Sequence, residues 1–276
     1  MKAVRSMRIG TIAKWLWVAA LAIIILVPVY ITVVSAFLPH RDVTTGNFLP
    51  DPRHFTFENF AQALDVIPFG QQYVTSVLVT VLQTSAQVLF AALAAYALVF
   101  PRWRGRTLAF VLIIATLAIP GESLVIPNYE FVTGMGLRDS ILGIVIPYLA
   151  AGYAVFLLRT AFLGVHREMW EAARLDGCGD LRTLFSVILP TVRPQLTTAT
   201  LWCAIAAWNG YFWPLLITDS PNKRTLQVGV SQLVSAEGAS PAVIAAGTSL
   251  VLLPTLALVI IGQRFLLRGL AAGSLH

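Results

Sequence analysis

The sequence predicts an all-α polytopic membrane protein with six transmembrane helices, and three observations lead there. The 276 residues are 57% hydrophobic and only 12% charged, about half the charged share of a soluble domain. A soluble chain of this length carries far more Lys, Arg, Asp and Glu to solvate its surface. Long apolar runs recur at 15–37, 73–99, 107–126, 141–158, 196–217 and 243–263. Each is close to the roughly 20 helical residues that cross a hydrocarbon core of about 30 Å. Helices are expected because a spanning segment must satisfy its own backbone hydrogen bonds. The third observation is that basic residues collect in alternate loops, as the positive-inside rule requires.

The elements follow in order. The first run is preceded by Lys2, Arg5, Arg8 and Lys14. From Trp15 to Phe37 it is too long for a signal-peptide apolar region and lacks an A-x-A cleavage site, so it reads as an uncleaved anchor. The loop 38–72 carries the turn residues Pro39, Gly46, Asn47, Pro50, Asp51 and Pro52. Within it Thr56-Phe57-Glu58-Asn59-Phe60 predicts a capped start of a short helix. In the second span Ser76, Thr80, Gln83 and Gln87 are spaced to share one helical face. Pro120 and Gly121 interrupt the third run ahead of Glu122, so that helix is expected to stop near Pro120. The other five runs contain no charged residue. The longest loop inside is 159–195; there, 168–176 is rich in strong helix formers, Gly177 supplies a C-cap, and a second helix is expected from about Asp180 to before Pro190.

With six spans both termini face the same side. That side holds Lys2, Arg5, Arg8, Lys14, Arg102, Arg104, Arg106, Arg159, Arg167, Arg174, Arg182, Arg193, Arg264 and Arg268. Arg41, Arg53, Arg138, Lys223 and Arg224 fall on the other. The termini are therefore expected in the cytoplasm. The net charge of +6 reads as a topology signal and gives no support to nucleic-acid binding.

The loop 159–195 carries the most specific pattern. It reads Glu171-Ala172-Ala173, three residues, Gly177, nine residues, Val187, one residue, Leu189-Pro190. Two short helices joined at a glycine elbow would lie at the membrane surface. Ala172 and Ala173 would give a low-relief face, rimmed by the charges of Glu171, Arg174 and Asp176. This resembles the EAA loop of permease subunits of binding-protein-dependent ABC importers, with Val187 in place of Ile. Trp208-Asn209-x-Tyr211-x-Trp213-Pro214-Leu215-Leu216 resembles the carbohydrate-uptake branch of that family. So do Ala94-Ala95-Tyr96-Ala97, the stretch 56–60, and the tail Gln263-Arg264-Phe265-x-x-Arg268-Gly269-Leu270-x-x-Gly273. The nearest likeness is to the maltose-type and glycerol-3-phosphate-type second permeases. Cys178, where Ala is common, and the ending Ser274-Leu275-His276 depart from the pattern.

The resemblance implies a type I importer permease, a single transmembrane domain over 1–276, without catalytic activity of its own. It would import a sugar or glycerol-phosphate-type solute delivered by an extracytoplasmic binding protein. It would pair with a second, homologous permease in a heterodimer and with two copies of an ABC ATPase, which would hold ATP and Mg. Glu171, Ala172, Ala173, Arg174, Asp176, Gly177, Leu189 and Pro190 are then the ATPase-coupling residues.

Missing motifs narrow the chemistry. None of Lys2, Lys14 and Lys223 follows a glycine, so there is no phosphate-binding loop of the G-x-x-x-x-G-K type. Cys178 and Cys203 form no CxxC, and His40, His54, His166 and His276 are scattered, which argues against a metal or catalytic site. Intramembrane charge, the usual relay of ion-coupled carriers, is missing too; a secondary carrier is the alternative this disfavours. The candidates for the solute path are Trp208, Asn209, Tyr211, Trp213, Tyr153, Gln83, Gln87 and Glu122. Aromatic faces stack on sugar rings and an Asn amide both donates and accepts. The aromatics could instead form an interfacial belt, the polar face of span two could serve interhelical hydrogen bonds, and Glu122 could be a solvated loop acid.

Overall fold

A computed structural model of the chain describes residues 2–46, 48, 52–235 and 239–273. The expected turn residues Asn47, Pro50 and Asp51 and the end 274–276 lie outside the described residues. Among those described, every regular element is helical. We number the main helices α1 (Lys2–Phe37), α2 (Glu58–Val66), α3 (Phe69–Val99), α4 (Arg106–Ala115), α5 (Val125–Gly134), α6 (Ile141–Val145) and α7 (Gly152–Leu163). They continue with α8 (Arg167–Leu175), α9 (Asp180–Thr183), α10 (Arg193–Trp208), α11 (Phe212–Ile217), α12 (Leu226–Ser235) and α13 (Pro241–Gly273). The chain divides into two compact units, Met1–Ile67 with Val230–Leu252, and Pro68–Gly229 with Leu253–His276.

In the first unit α1 carries the apolar stretch Lys14–Phe37. Asn59 on α2 closes the end of α1, its buried amide donating to the carbonyls of Ala36 (3.0 Å) and Leu38 (2.9 Å). Phe37 meets the rings of Phe55, Phe57 and Phe60 at 5.9, 5.5 and 5.0 Å. The expected cap is present: Thr56 Oγ1 accepts from the Glu58 N–H at 3.1 Å.

The second unit is built around α3, which packs against α7 and α10. Small residues (Ala91, Ala92, Ala95, Ala154 and Ala199) let the backbones approach, and Leu158, Phe162, Leu184 and Ile188 fill the remaining space. Small side chains at helix contacts are the usual device where lipid offers no hydrophobic driving force. A second cluster joins Val79, Val132, Ile144, Val145, Trp213 and Ile217.

The described residues do not by themselves give the count of six spans, because several of the apolar runs are broken. Among the described residues three helical stretches are long and apolar enough to cross a membrane: Lys14–Phe37, Phe69–Val99 and Pro241–Ile260. Two bent pairs raise the total to five, Arg106–Ala118 with Gly121–Gly134 at 98°, and Ile141–Tyr148 with Gly152–Leu163 at 49°. The expected run 107–126 thus ends at Pro120 as anticipated, but the chain then turns sharply into a second limb. The run 141–158 breaks after a short turn holding Pro147, and its second limb extends to Leu163. The run 196–217 takes α10 from Leu196 to Trp208, then an interruption at 209–211, then α11. The reason is local: Asn-Gly is a turn signal, and here Asn209-Gly210 falls inside an apolar run whose hydropathy conceals it.

Candidate functional site

Two regions of the second unit have the make-up of functional sites. The first is the loop after α7, which begins at Gly164 rather than 159 and gives way to α10 at Arg193. The two expected helices are present. Gly177 sits at φ +77°, where a side chain is disfavoured. Its N–H donates to the Arg174 carbonyl (3.1 Å) and the Cys178 N–H to the Ala173 carbonyl (2.9 Å), the paired bonds of a Schellman cap.

The second helix differs from expectation. It does not stop before Pro190: α9 runs into a π-turn, Leu184–Ile188, and on through Leu189–Thr191. In a regular helix the Pro190 ring would press on the carbonyl four residues back. The wider turn preceding it breaks that register.

Trp170 is what fixes α8. Its ring stacks on Phe100 at 6.2 Å and 18°, and its indole N–H donates to Tyr96 Oη at 2.8 Å. The Tyr96 hydroxyl donates onward to Asp180 Oδ1 at 3.0 Å, which Arg174 also meets at 3.0 Å. One chain of contacts therefore ties α3, α8 and α9. Ala173 faces inward with Leu189, while Glu171, Ala172, Arg174, Asp176 and Gly177 are exposed and Pro190 is half-buried. Arg167 pairs with Glu171 at 3.1 Å on the exposed face, worth well under ~1 kcal/mol. Sequence reasoning missed Trp170, and it missed Leu175 and Leu181, which are 88% and 62% exposed. Exposed leucines beside a small-residue face are the mark of a protein contact; the signal was a leucine at each side of the glycine elbow.

The second region is a cleft of about 330 Å³ lined by Gln83 and Gln87 of α3, Gly121 and Glu122 at the bend, Tyr148, and Ala206, Ala207 and Gly210 to Pro214 near the break between α10 and α11. It brings together Gln83, Gln87, Glu122, Tyr211 and Trp213 from the expected set. Their polar groups are not equally free. Gln87 donates to the Tyr148 carbonyl at 2.8 Å, the group released by the break before α7, and its own Oε1 is buried without a partner. Trp213 is buried and donates to the Gly143 carbonyl at 3.2 Å. Gln83 makes no hydrogen bond among the described residues. Higher on the polar row, Ser76 accepts from the Leu226 N–H at 2.7 Å and the buried Gln72 donates to the Pro221 carbonyl at 2.8 Å. Ser76 and Gln72 thus serve packing.

The remaining candidates lie elsewhere. Asn209 closes the end of α10, donating to the Ile205 carbonyl at 2.8 Å and accepting from Gln227 at 3.2 Å. Trp208 is buried against Tyr73 in a separate apolar groove with Thr80. Tyr153 packs on Trp202 at 4.9 Å. No group of three His, Cys, Asp or Glu that could hold a metal ion occurs among the described residues.

A clamp fixes the far end of α11. Asp139, at φ 55°, accepts from the Asp219 N–H (3.0 Å), the Ser220 N–H (3.0 Å) and the Ser220 hydroxyl (2.6 Å), with Lys223 at 3.3 Å. Burial pushes its carboxyl up, but these donors outweigh it and hold it well below the ordinary range. Arg138 pairs with Asp219 at 2.8 Å alongside.

Residues 87–271 match the family described as "Binding-protein-dependent transport system inner membrane component". The chain belongs to this family. It is 31% identical over 256 residues to the "sn-glycerol-3-phosphate transport system permease protein UgpE" of Yersinia pestis bv. Antiqua (strain Antiqua), covering 90% of this chain and 91% of that one. It is 25% identical over 265 residues to the "Arabinooligosaccharides transport system permease protein AraQ" of Bacillus subtilis (strain 168), covering 95% and 94%. Among solved structures it is similar to a chain of a bacterial ABC transporter involved in the import of the acidic polysaccharide alginate. The TM-score there is 0.83 at 28% identity, over 94% of this chain and 97% of that one. The protein is thus a membrane permease subunit with the type I importer fold, and a binding-protein-dependent transport system implies ATPase and solute-binding partners. The comparisons lend nothing to the secondary-carrier alternative.

Proposed function

We propose that this chain is one of two homologous permeases of an ATP-driven importer for a sugar or glycerol-phosphate-type solute. It couples to a separate ATPase through the loop 164–192. Both termini lie in the cytoplasm, and ATP and Mg are held by two ATPase copies. The observation that carries the reading is the loop itself. A helix ending at Gly177 in the left-handed conformation presents Glu171, Ala172, Leu175 and Asp176 to solvent, while Trp170 anchors it on α3. Such a rigid, two-point attachment can pass movement of a docked partner to the spans. The cleft contributes Gln83, Tyr211 and Glu122 to the path, and the relatives' printed names support the solute class. The reading is tested by reconstituting the permease pair with its ATPase and binding protein in proteoliposomes. Uptake should require internal ATP and survive an ionophore that collapses the proton gradient. Uptake driven by the gradient alone would overturn it.

A further inference from the structure

The segment between α3 and α4 reads Phe100-Pro101-Arg102-Trp103-Arg104-Gly105, and α4 opens on Arg106. Arg102, Arg104 and Arg106 line a shallow, open surface pocket of about 320 Å³ together with Trp103. None of the three pairs with a carboxylate among the described residues, whereas Arg138, Arg167 and Arg174 each do. Trp103 is fixed twice. Its indole N–H donates to the Ala97 carbonyl at 2.8 Å, and its ring covers Gly105 so closely that a Cβ there would lie 2.6 Å from it. One turn beyond Arg106, the Phe110 ring carries the guanidinium of Arg159 at 3.8 Å, and Arg159 Nε is buried with no hydrogen-bond partner.

Both flanking helices belong to candidate membrane spans, so this cluster stands at a membrane surface. Past Arg106, α4 turns outward Leu108, Val111 and Leu112, which are 64%, 54% and 60% exposed. An unpaired cationic pocket and an exposed apolar stretch of α4 thus lie on neighbouring parts of the chain. A bare preference for positive charge on one side would place arginines in the loop; it would not require a pinned tryptophan or a pocket. A soluble acidic partner would match the arginines but not the leucines. We propose that Arg102, Arg104 and Arg106 bind the phosphate of an anionic phospholipid, with Trp103 at the headgroup and the acyl chain along Leu108 and Leu112. Guanidinium groups suit phosphate geometrically, and clustered basic residues beside a span are a recognised lipid-headgroup device.

The test is native mass spectrometry of the assembled transporter titrated in parallel with phosphatidylglycerol, phosphatidylcholine and inorganic phosphate. The intact protein should retain phosphatidylglycerol over the other two. The variant R102Q/R104Q/R106Q should weaken that retention on the order of 100-fold, and Arg104→Gln alone about fivefold. The single variant serves if the triple one fails to assemble. Equal retention by variant and intact protein overturns the proposal. So does equal binding of phosphatidylcholine, or inorganic phosphate binding as well as the lipid. Loss of the ATPase subunit with lipid retention unchanged would assign the arginines to a protein partner and overturns it as well.

Discussion

The loop 164–192 and the cleft between α3 and α11 are built on opposite principles. The loop is contiguous. Its shape comes from helix formers, one glycine at φ +77° and one anchoring tryptophan, and the face proposed for docking is its exposed one. The cleft takes Gln83, Glu122, Tyr148, Ala206 and Tyr211 from separate stretches, and its walls exist because three helical runs break. Freed backbone groups at those breaks are satisfied by side chains, as with Gln87 on the Tyr148 carbonyl. The loop surface is specified locally. The cleft is specified by interruptions whose partners lie far away in sequence.

The sharpest way to break this comparison is Gly177→Val. A β-branched residue in the left-handed region costs on the order of 1–2 kcal/mol. The cap would open, and ATP-driven uptake should fall more than tenfold while the amount of chain in the membrane is unchanged. Full uptake would show that the elbow conformation is not used. Next is Tyr96→Phe, which leaves the Trp170 indole N–H without its acceptor and Asp180 without one donor. A buried unpaired donor costs about 1–3 kcal/mol, so amides of 164–192 should exchange faster with deuterium while those of α10 do not change.

Within the cleft, two glutamines on one face should separate. Gln87→Leu removes a bond to backbone and should lower thermal stability by about 1 kcal/mol. Gln83→Leu removes no bond and should leave stability alone while raising the KM for uptake. The reverse result would exchange their roles. The smallest effect is expected at Asp139. Asn tolerates its positive φ, so Asp139→Asn removes the charge without adding strain. Because the folded carboxyl titrates below its ordinary 3.8, the ionised group stabilises the fold at pH above about 4, and this is lost as pH falls further. The melting temperatures of the two proteins should differ at pH 6, and the gap should narrow progressively as pH falls below about 4. A constant gap would remove the charge from the account.

The legible parts of the sequence were those whose cause is local. The stop at Pro120, the Thr56 cap, the helix ending at Gly177 and the apolar stretches of α1, α3 and α13 were all readable because proline, hydroxyl, glycine and hydropathy act on their own neighbours. The break at Asn209-Gly210 was written in the chain but outweighed by the apolar residues around it. Asn209 looked like a solute ligand because an amide deep in an apolar run invites that reading. In the structure its amide donates to the Ile205 carbonyl and accepts from Gln227.

The sequence by itself determined that the chain is an apolar helical membrane protein and that a helix of the loop after α7 ends at Gly177. Both follow from composition and from short-range backbone chemistry. Tertiary structure alone decided that Gln83 faces an open cleft while Gln87 holds a broken helix, and that Trp170 docks α8 on α3. Burial and hydrogen-bond partnership belong to pairs of residues, and the partners here are separated by tens of positions along the chain.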